Sequence, residues 1–457
     1  MSPPVPASSP DSPPRKRVLI VSPAFAPIST PDSQRVRMSL PHYREFGWEP
    51  IVLTVDPRHI PETREDGLLA TLPPDVTIRR CGALPLRFAR LLGLGNLGLR
   101  AWFPLLFVGV RTIRREKIDL VLFSTTQFVT LPLGRIWRRL CGVPYVVDLQ
   151  DPWRTDYYER PGVRRPPGGW KYQFARFQAW LLEEWSFRRV AAFISVSAEY
   201  LFDLRRRYAW FSSVPSEVLH FGASERDLEI ARAQDASAER APDSASGPAV
   251  RFVYTGAAGP ITPHAVSLLF EAARQFRATE PAAASRLRFE FLGTSYAPRD
   301  LARPSILPLA EKAGIADLVT EYPARLGHLE TLRVQADADV LLLLGSSDLA
   351  YSPSKIYPYY LSGRPILALV FRNSCLETIL RELNCSYLVT FENSADSSST
   401  VQLLHAFFRA TLAGTAASLL PVRNDDLFRR EYLARTLTAK QAALFDVALR
   451  PPDAPTV

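Results

Sequence analysis

Two series of short apolar runs, each alternating with longer segments of helical periodicity, organise this chain. The first series is RVLIVS (Arg17 to Ser22), PIVLTV (Pro50 to Val55), DLVLFS (Asp119 to Ser124), PYVVDL (Pro144 to Leu149) and AFISVS (Ala192 to Ser197). Near-continuous apolar runs of this kind predict strands covered on both faces, as in a parallel sheet flanked by helices. Between them, YQFARFQAWLLEEWSFRRV predicts a helix with one broad apolar face.

The pattern stops at ARAQDASAERAPDSASGPA, Ala231 to Ala249, which has no periodic apolar face and predicts a linker or surface loop. A second series follows: VRFVYTG (Val250 to Gly256), LRFEFLG (Leu287 to Gly293), DVLLLLG (Asp339 to Gly345), PILALV (Pro365 to Val370) and SYLVTF (Ser386 to Phe391). The expected architecture is therefore α/β, with two Rossmann-like doubly wound domains facing a central cleft. Residues 1–16 would be a tail, 17–230 the first domain, 231–249 the linker, 250–425 the second domain, and 426–457 a C-terminal helix and tail. Ligands of such sheets lie beyond the carboxyl ends of the strands, so motifs at strand ends carry the most weight.

Composition changes this picture little. A chain of 457 residues is long enough for two domains. Its 47% hydrophobic and 22% charged residues are ordinary for a globular protein. The net charge of +9 admits an anionic partner without choosing among nucleic acid, acidic lipid and phosphorylated substrate. No basic helix run, zinc pattern or aromatic RNA-binding motif supports nucleic acid. Cys81, Cys141, Cys375 and Cys385 show no CxxC spacing and read as buried thiols of a reducing compartment. The Pro/Ser-rich start has no apolar core of a targeting peptide, and the longest apolar stretch, Leu91 to Val110, is broken by Asn96, Arg100 and Pro104. LPLRFARLLGLGNLGLRAWFPLLF has the arginines, leucines and aromatics of an interfacial element, and equally those of a helix pair packed in a core.

Four strand ends carry candidate chemistry. YTGAAGP offers Gly256 and Gly259, where backbone amides can approach a phosphate or simply make a tight turn. In YSPSKIYPYYLSGRP, Pro353 and Ser354 suit a helix start, Lys355 its first turn and Gly363 its end. A cation is disfavoured at the positive end of a helix unless an anion lies between it and the free amides, so Lys355 is placed for a phosphate, with Ser352 and Ser354 beside it. VVDLQDPWRTDYY brings Asp148, Asp151 and Trp153 to the end of a first-half strand; Asp151 can orient or deprotonate a hydroxyl, or cap a following helix. In the loop after the first strand, Arg35 follows Ser29, Thr30, Asp32 and Ser33, and is either an anion ligand or surface charge. The six histidines are dispersed without ligand spacing, and no metal site is read from them.

RVLIVSPAFAPIST…QRVRMSL, VVDLQDPW, AAFISVSAEYL, VLHFGAS, RFVYTGAAG and, most specifically, PSKIYPYYLSGRPILAL resemble, in order, the landmarks of GT-B glycosyltransferases of the family 4-like, sugar-nucleotide-dependent type found in bacterial polysaccharide and lipopolysaccharide assembly. The resemblance covers residues 17 to 445. It implies a retaining transfer from a nucleotide sugar to a glycan or lipid-linked acceptor, with no cofactor or obligatory metal, at the cytoplasmic face of a membrane and in peripheral contact with its anionic surface. The second domain would hold the donor through Lys355, Ser354, Ser352, Gly256 and Gly363. The first would bind the acceptor, with Asp151 catalytic and Arg35, Asp148 and Trp153 as acceptor or phosphate ligands.

Three departures from the pattern stand out. Pro358 occupies the position of a glutamate that relatives direct at the donor ribose, Ala350 replaces an acidic residue, and AAGPITPHA supplies no cation where relatives often have an Arg/Lys pair. The alternative is a non-catalytic subunit of the same fold that binds a nucleotide sugar or serves as a scaffold.

Overall fold

The computed structural model describes residues 15–91, 95–154, 169–233, 248–258, 262–297, 299–349, 353–392 and 397–450. The chain forms two compact units, residues 1–221 with 434–457, and residues 222–433.

The first unit is built on seven parallel strands: β1 (Lys16–Val21), β2 (Trp48–Val55), β3 (Thr77–Cys81), β4 (Leu120–Ser124), β5 (Tyr145–Leu149), β6 (Ala192–Ser195) and β7 (Ser216–Val218), in the order β3-β2-β1-β4-β5-β6-β7. Successive side chains of a strand point to opposite faces, and here both faces are covered. Leu19, Val21, Leu53 and Phe123 pack with Trp137 and Phe187 on one side. Val18, Ile20, Val52 and Leu122 pack with Leu437 and Phe445 on the other. Leu437 and Phe445 belong to the Ala434–Ala448 helix, so the end of the chain is part of the first unit's core. Phe445 stacks on Tyr43 at 6.0 Å and meets Trp48 edge-on at 5.3 Å. Gly109 is required where the Trp102–Arg115 helix crosses the Pro132–Cys141 helix, because a Cβ there would collide with the Trp137 ring.

The second unit has six parallel strands: β8 (Val250–Thr255), β9 (Leu287–Leu292), β10 (Val319–Tyr322), β11 (Val340–Leu344), β12 (Ile366–Phe371) and β13 (Tyr387–Phe391), in the order β10-β9-β8-β11-β12-β13. Phe252, Phe289, Phe291, Leu342 and Leu369 form its core with Phe276 and Phe408. Both sheets reverse direction beside their first strand, between β1 and β4 and between β8 and β11. These are the two switch points at which a doubly wound sheet opens a ligand crevice.

Every strand read from the sequence is present. The three that were not, β3, β7 and β10, are all sheet edges. Of the stretch read as a linker, residues 231–233 end the Glu225–Ala233 helix, which packs Leu228 and Ala231 on Leu329 and Leu332 of the second unit, and residues 234–247 lie outside the described residues. Residues 1–14 of the expected tail also lie outside them.

Candidate functional site

At the switch point of the second unit, β8 ends in Tyr254-Thr255-Gly256 and β9 ends against Gly293. Both glycines have positive φ, +100° and +73°, so the chain turns away from the strand ends without a side chain to fill the space. Lys355 uses that space. Its Nζ lies 3.2 Å from where a Cβ on Gly256 would stand, and 3.7 Å from the centroid of the Tyr254 ring. Arg325, from the loop after β10, borders the second glycine: its Cδ lies 3.7 Å from the Cβ position on Gly293, which is itself 3.8 Å from the Gly256 nitrogen. The Arg325 guanidinium rests 4.5 Å from the centroid of the exposed Tyr296 ring. The nearest acidic candidate on β10, Glu321, is occupied elsewhere, accepting from the amides of Ser305, Ile306 and Leu307 at 3.0, 2.9 and 2.8 Å. Among the described residues neither Lys355 nor Arg325 has a carboxylate partner.

Two unneutralised cations thus flank a pair of glycines. Desolvation, followed by the charge of Arg325, pushes the Lys355 ammonium well below the usual lysine range. An anion placed between the two cations removes both penalties at once.

Lys355 is the residue immediately before the Ile356–Ser362 helix, and the tyrosines after it explain why its position is fixed. The Tyr359 hydroxyl accepts from the Thr255 amide at 3.0 Å, tying the helix to the end of β8. Tyr357 stacks on Tyr432 at 4.7 Å, and Tyr360 on Phe428 at 4.1 Å. Burial pushes the Tyr359 phenol up to about 12, so it remains a neutral anchor. Gly363, at φ +76°, closes the far end of the same helix. It therefore terminates the helix and is not brought beside Lys355. Ser354 is exposed next to Lys355, while Ser352 and Gly259 lie outside the described residues.

The first unit gathers polar groups at its own switch point. Arg35 is buried against Asp148, with Nε 3.1 Å from Oδ2, and donates through Nη2 to Leu219 O at 2.7 Å and through Nη1 to His220 O at 3.3 Å. Ser124 Oγ donates to Asp148 at 2.7 Å, and Gln150 Nε2 donates to Ser124 Oγ and to Asp32 O, both at 3.0 Å. The Asp32 carboxylate accepts from Thr125 Oγ1 at 3.2 Å and from Thr126 N at 3.1 Å. Arg35 and Asp148, expected as acceptor or phosphate ligands, are paired with each other inside this network. The cation that accompanies Lys355 is Arg325, which sequence reading missed because its loop carries no motif.

Asp151 lies outside this network, exposed just after β5, and no helix begins at it among the described residues. Desolvation and then the neighbouring charge of Asp32 raise its carboxyl above the usual aspartate range. The Tyr200 phenol is raised in turn, by burial first and then by Asp151 and Glu199. The first unit also has a cavity of about 550 Å³ whose walls include Thr126, Phe128, Trp153, Arg154, Tyr172 and Trp180. Its volume is typical of small-ligand sites. Trp153 stacks on Phe128 at 5.7 Å and forms part of the aromatic wall. No group of three or more His, Cys, Asp or Glu side chains among the described residues has the arrangement of a metal site. His328 is bound to the buried Asp227 at 2.9 Å.

Comparison with known proteins agrees with this architecture. Residues 33–222 match the family model of the glycosyl transferase 4-like domain. Among solved structures, the chain is similar to Anabaena HepE in complex with UDP, with 13% identity, a TM-score of 0.54, and coverage of 94% of this chain and 99% of that one. It is also similar to WaaG, a glycosyltransferase involved in lipopolysaccharide biosynthesis, with 12% identity, a TM-score of 0.53, and 93% and 99% coverage. A third similar structure, from E. coli, is described as trehalose-6-phosphate bound with UDP-2-fluoro glucose, with 11% identity, a TM-score of 0.55, and 95% and 99% coverage. At such identities the likeness is one of fold. No curated protein matches the chain. The chain has the GT-B fold, and the stretch that matches the glycosyl transferase 4-like model makes up most of its first unit.

Proposed function

We propose that the protein is a glycosyltransferase that moves a sugar from a nucleotide-sugar donor to a glycan or lipid-linked acceptor, with retention and without a metal. The observation that carries this reading is the pairing of Lys355 with Arg325 over Gly256 and Gly293. Two cations around two side-chain-free backbone turns suit a diphosphate, the charged centre of such donors. In the reaction that diphosphate becomes the leaving group and gains negative charge as the glycosidic bond to the sugar breaks. Lys355 and Arg325 stabilise that charge in the role a divalent ion plays in metal-dependent transferases.

The acceptor enters through the first unit, in the cavity lined by Trp153 and Trp180, whose aromatic faces suit the C–H faces of a sugar. Asp151, with its raised carboxyl, takes up the acceptor hydroxyl proton. Retention rests on the resemblance to family 4-like transferases.

Thermal-shift screening against UDP-, GDP-, ADP-, CMP- and dTDP-sugars tests the donor reading, since a ligand of the folded state raises its melting temperature. The expected result is one nucleotide class that stabilises the wild type, loses its effect in Lys355→Ala and in Arg325→Ala, and keeps it in EDTA. Stabilisation by none of the five would overturn the reading. Stabilisation without turnover on any acceptor would favour the non-catalytic subunit.

A further inference from the structure

On the reading of the cavity lined by Trp153 and Trp180 as the acceptor site, we propose that the acceptor is acidic, with a carboxylate or phosphate beside the sugar ring that stacks there, and that Arg154 selects it.

Charge is out of balance on one wall of that cavity. The Gly169–Phe187 helix turns Glu183 inward, where it is 1% exposed and needs compensation. Arg207 supplies it, with Nη1 2.6 Å from Oε1, and the Tyr208 hydroxyl and the Arg154 amide each donate to the same carboxylate at 3.0 Å. The Arg154 side chain takes no part in this pairing. Its Nη1 donates to the Tyr208 hydroxyl at 3.2 Å, and among the described residues no carboxylate lies within ion-pair distance of its guanidinium. Burial, then the charge of Glu183, pushes the Tyr208 phenol up to about 12, so Tyr208 bonds Arg154 without neutralising it. Two arginines thus meet one carboxylate, and the surplus positive charge belongs to the one that lines the cavity.

The rest of the lining points the same way. A neutral sugar offers several hydroxyl donors, and ionised carboxylates are the side chains that only accept. Among the described residues the cavity has no carboxylate: its charged members are Arg154 and Arg176, and its amides are Asn96, Gln173 and Gln178. The Asp32 carboxylate, which accepts from the wall residue Thr126 at 3.1 Å, is committed to Thr125 as well. Arg176, on the same helix as Glu183, holds its guanidinium 5.9 Å from the centroid of the Tyr172 ring, itself part of the wall. A guanidinium fork matches the paired oxygens of a carboxylate or phosphate, so walls rich in donors and poor in acceptors, with aromatic faces between them, suit an acidic sugar better than a neutral one. Phe177 and Trp180 are wall residues exposed to water, so a ligand can reach the cavity from solvent.

The test is calorimetric titration of the full chain, without nucleotide sugar, with methyl β-glucoside, methyl β-glucuronide and methyl β-glucoside phosphorylated at its primary hydroxyl. At least one acid should bind about tenfold or more tighter than the glucoside, by a margin that shrinks as salt rises. Preference for the glucuronide assigns a carboxylate, and preference for the phosphate ester assigns a phosphorylated or phosphate-linked acceptor. Arg154→Gln should reduce the acids to the affinity of the glucoside, and Arg154→Lys should restore part of the preference, whereas a merely structural arginine would weaken all three alike. Glu183 keeps Arg207, Tyr208 and the residue 154 amide in both variants, so the fold should survive; Arg176→Gln, at an exposed position, is a second variant expected to narrow the preference. Equal affinity for the three probes, or a preference that persists in Arg154→Gln, would overturn the proposal and leave the cavity a sugar site. Binding of neither acid would overturn it together with the acceptor reading of the cavity, while the donor reading, tested with nucleotide sugars, would stand.

Discussion

The ammonium of Lys355 packs against the side-chain-free face of Gly256, 3.2 Å from where a Cβ would stand. The two residues are about a hundred positions apart in the chain and meet because Tyr359, one turn into the helix that Lys355 precedes, is bonded to the end of β8. Gly256→Ala should therefore act on donor binding more than on folding. The methyl group would crowd the ammonium and press it aside, and φ of +100° adds strain. That strain is worth about 1–2 kcal/mol. Calorimetry should show nucleotide-sugar affinity falling roughly tenfold or more, with a melting temperature only a few degrees lower.

Lys355→Met should weaken the donor by roughly 10- to 100-fold, the loss of one charge-assisted bond to phosphate. It should also leave the ligand-free protein as stable or more so, because the desolvated cation is gone. The pH dependence has a definite sign. Between the depressed value of Lys355 in the folded protein and the usual 10.5, the unfolded chain binds the proton and the folded chain does not, so ligand-free stability rises with pH through that window. A bound diphosphate restores the ammonium, so binding takes up a proton and affinity falls as pH rises. Melts with and without nucleotide from about pH 7 to about pH 10 should show both trends in the wild type and neither in the methionine variant.

Arg35 and Asp148 should behave as framework. Both are buried and paired with each other. Removing one partner leaves the other charge uncompensated, at a cost of about 3–5 kcal/mol. Arg35→Met is expected to lower the melting temperature sharply, while nucleotide affinity measured well below that temperature stays at the wild-type value. Loss of donor affinity in folded protein would return Arg35 to the role its place after β1 first implied.

The contrast between these residues marks what the sequence made legible. The ten strands read from the sequence announced themselves through apolar runs, most of them because both of their faces are buried. Edge strands such as β3, TIRRC, have a solvated side that breaks the run, and β7 is only three residues long. Lys355 was legible because a cation beside a helix start is locally unfavourable and so implies a counter-ion. Arg325 was not, because its significance lies in the approach of the loop after β10 to Gly293, a relation between strands adjacent in the sheet that leaves no local pattern. Arg35 misled for the converse reason: its motif position suited an anion, and the anion is Asp148 of the protein itself. The Gly169–Phe187 helix has the broad apolar face its spacing predicts, but periodicity gives a stripe and not its direction, and Phe174, Phe177 and Leu181 are exposed.

Asp151 offers the sharpest separation of chemistry from binding. Its carboxyl is raised by desolvation and by Asp32, which accepts hydrogen bonds from Thr125 and Thr126. A group acting as base must be ionised, so the rate should fall as pH drops through the raised value, giving an acid limb at higher pH than an ordinary aspartate would produce. For stability the sign is opposite. A raised carboxyl holds its proton longer in the folded state, so between the ordinary and raised values stability declines as pH rises. Asp151→Asn should accordingly leave the neutral-pH melting temperature equal or higher, leave nucleotide-sugar affinity unchanged, and cut transfer by roughly 100-fold or more. If the asparagine variant kept full turnover and the same acid limb, the proton would have to leave by another route, with Tyr200, whose phenol feels the Asp151 charge, the first neighbour to examine.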